Sequence, residues 1–177
     1  MDDSRLYANA SNCHYGERGA DPESDFYTSM AYYQDILRAA SPGMEGHLNR
    51  EYPDAQHNYQ EAAEKITSQG KPVIGCEVGQ YESLPDFGQI EDFTGVTLPL
   101  NLERIRENAE KSGMLSSWKQ YCEASGELAL LCYREEVEAV LRTPAMSGLS
   151  LLGLQDFTGQ GTALVGMLDA HLKPKPF

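Results

Sequence analysis

The run KPVIGCEVGQY, Lys71 to Tyr81, restricts the possible folds more than any other stretch of this chain. Before it, Tyr59, Ala62, Ala63 and Ile66 recur at helical spacing, which predicts a helix from Asp54 to Ser68 with Asp54 as its cap. Gly70 supplies a left-handed stop, and two residues later an apolar strand begins. A helix, a tight glycine turn and an apolar strand in that order make the connection of a parallel sheet. A second apolar run, LSLLGLQDF (Leu149 to Phe157), is continuous, as a strand buried on both faces should be.

Between these runs the pattern is helical. Leu102, Ile105 and Ala109 share one face of a helix predicted over Asn101 to Ser112, with Gly113 ending it. A short helix is expected at Ser116 to Ala124, with Trp118 packed in its core. Another runs from Gly126 to Arg142, with Leu128, Leu131, Cys132, Val137, Val140 and Leu141 on the apolar side and Glu135, Glu136 and Glu138 facing water. Upstream, RLYANASN and SDFYTSMAYY each start apolar and aromatic. The expected fold is therefore α/β, with four parallel strands at about Leu6 to Ala10, Asp25 to Met30, Val73 to Glu77 and Leu149 to Asp156. In such folds reactive groups collect where strands end. That rule selects Glu77 as a candidate catalytic carboxylate, and Asn12, Gln155 and Asp156 as candidate substrate contacts; Tyr81, in the same run as Glu77, is a further candidate contact.

Composition removes several function classes. At 177 residues the chain is the size of one domain. Its 14 Lys and Arg against 27 Asp and Glu give a formal charge of -13, which repels nucleic acid and anionic lipid, so neither is an expected partner. No apolar stretch reaches the ~20 residues needed to span a bilayer, and MDDSRLYANAS has no basic start followed by an apolar block. As written, the chain is expected to be cytoplasmic, although a longer parent could be exported. The cysteines Cys13, Cys76, Cys122 and Cys132 form no close pair, and the histidines His14, His47, His57 and His171 are dispersed. Structural thiols are expected, with no metal and no cofactor.

The residues PVIGCEVGQY followed by LSLLGLQDF resemble the seventh and eighth strands of the catalytic barrel of glycoside hydrolase family two, the β-galactosidases, β-glucuronidases and β-mannosidases. RLYANASN and DFYTSM then resemble the fifth and sixth strands, and the helical stretch between the last two strands resembles an insertion of one bacterial subgroup. The resemblance implies a partial (β/α)8 TIM barrel, its C-terminal half, with Glu77 as the nucleophile and carbohydrate as the substrate. A whole barrel takes ~250 residues, more than this chain has. Where the family has a Trp-Asp pair, this chain has Gln155 and Asp156. The family's acid/base glutamate follows an asparagine, and no Asn-Glu dipeptide occurs here.

That difference fixes the expected function. A retaining glycosidase needs a nucleophile and an acid/base carboxylate about 5 to 5.5 Å apart, and this chain supplies the first alone. The chain is expected to be a fragment of a retaining β-glycosidase, inactive alone and prone to self-association through open barrel edges. The alternative is a non-catalytic carbohydrate-binding or interaction remnant of the same fold.

Overall fold

A computed structural model of the protein describes residues 2–8, 23–29, 39–40, 46–66 and 70–177. Among the described residues three strands, β1 (Tyr27–Ser29), β2 (Val73–Gly79) and β3 (Gly148–Leu152), form one sheet in the order β1-β2-β3. Both pairings are parallel, with Tyr27 opposite Val73 and Ile74 opposite Gly148. The helices are α1 (Gln60–Ile66), α2 (Leu100–Lys111) and α3 (Trp118–Leu141), with short 3-10 turns at His47–Asn49, Phe87–Asp92, Leu115–Ser117 and Thr158–Gln160.

This is a small open α/β sheet, and it corrects the expectation of a four-stranded part of a (β/α)8 TIM barrel. Leu6 to Ala8 form no strand; Tyr7 exchanges one pair of bonds with Asp25, donating to its carboxylate at 2.9 Å and accepting from its backbone N–H at 2.7 Å. Residues 9 and 10 of that expected strand, with Asn12, lie outside the described residues. β3 also differs from the strand predicted at Leu149 to Asp156. It stops at Leu152, where Gly153 takes φ +81°, and Leu151 and Leu152 are exposed. A strand of a parallel sheet is buried on both faces only where packed layers cover them, and the exposed Leu151 and Leu152 show that this end of β3 lacks such cover.

The chain divides into two compact units, Met1–Gly79 with Cys132–Leu152, and Gln80–Leu131 with Gly153–Phe177. In the first, Tyr59 and Ala63 of the α1 region pack with Ala139, Val140 and Met146, with Ala62 against them, so these three residues of the stripe read from sequence face a core. α1 begins later than Asp54: the Asn58 carboxamide accepts from Gln60 N–H at 2.9 Å, while Asp54 spends its carboxylate on Gln56 N–H. Tyr59 N–H is held by Thr143 Oγ1 at 2.9 Å. Gly70 adopts φ +71°, as its place before β2 requires.

In the second unit α2 matches its predicted span within a residue, buries Leu102 and Ala109, and stops at Gly113 with φ +69°. Trp118 stacks on Phe87 at 4.6 Å and donates Nε1–H to Pro85 O. The two helices predicted around Gly126 are a single helix, α3. Gly126 does not break it because the ring of Phe177 lies against that position, 2.0 Å from where a Cβ would stand. The acidic face expected on α3 is also reversed: Glu135 and Glu136 are buried, while Leu128 and Leu141 are exposed. Arg134 and Arg142 reach Glu135 at 3.2 and 3.8 Å, and Arg142 bonds Glu138 at 3.1 Å, so the buried Glu135 meets an exposed cation of its own helix and a half-buried one just past the helix end. Among the described residues, no helix is long and apolar enough to cross a membrane.

Candidate functional site

Glu77 sits near the C-terminal end of the central strand. Gly75 faces Leu149 and Val78 faces Leu151, so three steps along β2 match two along β3 and one residue is extra. This is a β-bulge, and it contains Cys76 and Glu77. Glu77 takes φ +54°, a left-handed backbone that a glutamate adopts at a cost of roughly 1–2 kcal/mol. Gly79 at φ +101° and Gln80 at φ +69° follow, so the chain leaves the strand through three positive-φ positions in four residues.

The inward alternation of β2 shows the effect. Val73 and Gly75 are buried and Ile74 and Cys76 half-buried, but past the bulge Glu77 is half-buried where alternation would have buried it, and Val78 and Gly79 are both buried. A bulge lets the strand turn one side chain out of its regular place without ending the ladder. The bulge is held from two sides in the first unit. A Cβ on Gly79 would come 2.2 Å from the Tyr133 ring of α3, and one on Gly75 would come 3.1 Å from the Met146 side chain.

The other predicted residues lie elsewhere. Tyr81, Gln155 and Asp156 belong to the second unit, Glu77 to the first, and Asn12 falls outside the described residues. Tyr81 is half-buried and Gln155 is exposed, forming an isolated bridge with Leu168. Asp156 is buried and committed. Its Oδ1 accepts from Lys175 Nζ at 2.9 Å and from Gly166 N–H at 2.8 Å. Lys175 also donates to Ser83 Oγ and Leu164 O, and both side chains are over nine-tenths buried. Burial pushes the Asp156 carboxyl up from its ordinary value, against the pull of Lys175.

Two groupings lie outside the residues selected from the sequence. In the first unit His47 and His57 stack with ring centroids 3.7 Å apart, and Tyr59 meets His57 edge-on. Burial, then the neighbouring His57, lowers His47 to about 4, and burial also lowers His57. In the second unit Asp92, Asp169 and His171 bring ligand-type atoms within 4.8 Å of one another. The short Asp169-x-His171 spacing was a signal for this; Asp92 was not, being far away in sequence. Beside them a cavity of about 240 Å³ lies between the Phe87–Asp92 turn and the tail, lined by Asp86, Glu91, Asp92, Asp169, Lys173 and Lys175 among others. Neither a protein-family model nor a curated protein sequence matches the chain.

Proposed function

We propose that this chain carries the nucleophile of a retaining β-glycosidase, Glu77, and acts on carbohydrate together with an acid/base carboxylate that its own sequence does not supply. The observation that carries this reading is the backbone of Glu77, a non-glycine residue at φ +54° inside a bulge of the central parallel strand. Strained backbone persists only where the surroundings hold it, and it concentrates at sites where a side chain must be aimed. The resemblance of PVIGCEVGQY to the nucleophile strand of glycoside hydrolase family two gives that aimed carboxylate its chemistry.

In this chemistry the Glu77 carboxylate attacks the anomeric carbon, the leaving oxygen takes a proton from the acid, and water later releases the sugar from the glycosyl-enzyme ester. Without the acid the leaving alkoxide departs unprotonated, and general acid catalysis is typically worth ~10²- to 10⁴-fold. The isolated chain therefore hydrolyses aryl β-glycosides negligibly. Joined to a segment that contributes an Asn-Glu strand end, it gains turnover, and Glu77→Gln in the joined protein abolishes it. Full activity in that variant defeats the proposal; sugar binding without turnover in the joined protein points to the non-catalytic remnant instead.

A further inference from the structure

We propose that Asp92, Asp169 and His171 form a binding site for a divalent transition-metal ion of the zinc class, which takes the place of the Lys173 ammonium on Asp92. The site is independent of the Glu77 reading. Its three ligand-type atoms lie within 4.8 Å of one another, and all three residues belong to the second unit.

Asp169 is the fixed point. It is 8 % exposed, and its Oδ1 accepts from His171 N–H at 2.8 Å and Lys173 N–H at 2.9 Å. Asp169 N–H closes the turn by donating to Lys173 O, with Leu172 at φ +63° between. These bonds lock the carboxylate and carry His171 to a set place. They leave Oδ2 without a hydrogen bond from any described residue, and Asp169 lines the 240 Å³ cavity. A carboxylate oxygen with no protein donor is open to a cation or water. His171 is exposed, but Phe93 meets its ring edge-on at 4.6 Å, which limits the ring's rotation.

Lys173 now supplies the positive charge. Its Nζ lies 2.7 Å from both oxygens of Asp92, yet its side chain is 58 % exposed and can swing into water. A divalent ion offers twice the charge to Asp92, and it reaches Asp169 and His171 together with it. Two carboxylates and one imidazole are three protein ligands with room for water in the cavity, the pattern of an open zinc site. The single nitrogen donor favours zinc over magnesium or calcium, which prefer all-oxygen sets.

The test is calorimetric titration of Zn²⁺ into the chelator-treated whole chain, repeated with His171→Ala, Asp169→Asn and Lys173→Ala, each checked for native circular dichroism. One equivalent should bind, and His171→Ala, which changes an exposed side chain, should weaken it at least about tenfold. Lys173→Ala should bind more tightly, because the competing ammonium is gone. Mg²⁺ should give no comparable heat, and NMR should show the His171 ring shifting on Zn²⁺ addition while His47 and His57 do not. Absence of Zn²⁺ binding, or an affinity unchanged by His171→Ala, overturns the site. A Lys173→Ala chain that binds no more tightly overturns the exchange with Lys173.

Discussion

Replacing Glu77 separates a strained functional residue from a structural one. Glutamate at φ +54° carries roughly 1–2 kcal/mol of left-handed backbone cost, which glycine does not pay. Glycine in return raises the entropy of the unfolded chain by about 0.5–1 kcal/mol. The difference predicts that Glu77→Gly is about 0.5–1 kcal/mol more stable than Glu77→Gln, which keeps the side chain's length and the backbone cost. For a chain of this size that is about 1–4 °C in melting temperature. Urea unfolding followed by far-ultraviolet circular dichroism measures it, with hydrogen exchange of the β2 amides reporting locally. The reasoning fails if Glu77→Gly is the less stable of the two. It also fails if Glu77→Gln alone costs more than about 1.5 kcal/mol, as loss of a stabilising ion pair would; Glu77 would then be held for structure.

Three further outcomes follow from the same geometry. Gly79→Ala puts a Cβ into the Tyr133 ring at a positive-φ position, and thermal melts should show a loss of about 2–4 kcal/mol. Lys175→Met strands the buried Asp156 carboxylate, costing roughly 3–5 kcal/mol in denaturant titrations; part should return as the pH is lowered, because Asp156 then protonates. His47 and His57 both titrate below their unfolded value of 6.5, so the unfolded chain takes up protons first. Their contribution is complete above about pH 6.5 and is lost as pH falls towards about 4, and His47→Gln should flatten the fall in urea midpoint over that window.

Local pattern carried the elements whose determinants are local. α2 follows from Leu102, Ile105 and Ala109 with Gly113 behind them, and β2 from its apolar run after Gly70. Elements decided by distant partners did not follow. Gly126 reads as a helix break until the ring of Phe177 is seen to need its missing Cβ. Glu135 and Glu136 read as solvated until α3 buries them, with Arg142 against Glu135 a full two turns on. The strand end selected Glu77, but nothing local signals its bulge, since glutamate disfavours left-handed backbone. Asp156 drew notice as a strand-end carboxylate, yet the chain beyond it supplies Lys175, which turns it into a buried pair.

The most direct test of the central claim is covalent. A fluorinated β-glycoside with a strongly activated leaving group needs little protonation, so it should esterify the nucleophile and then stall. Peptide mapping by mass spectrometry of the joined protein after such treatment should find one glycosyl adduct, on Glu77, and none in the Glu77→Gln variant. A label on another carboxylate, or none on a protein that does turn over glycosides, would show that Glu77 is not the nucleophile.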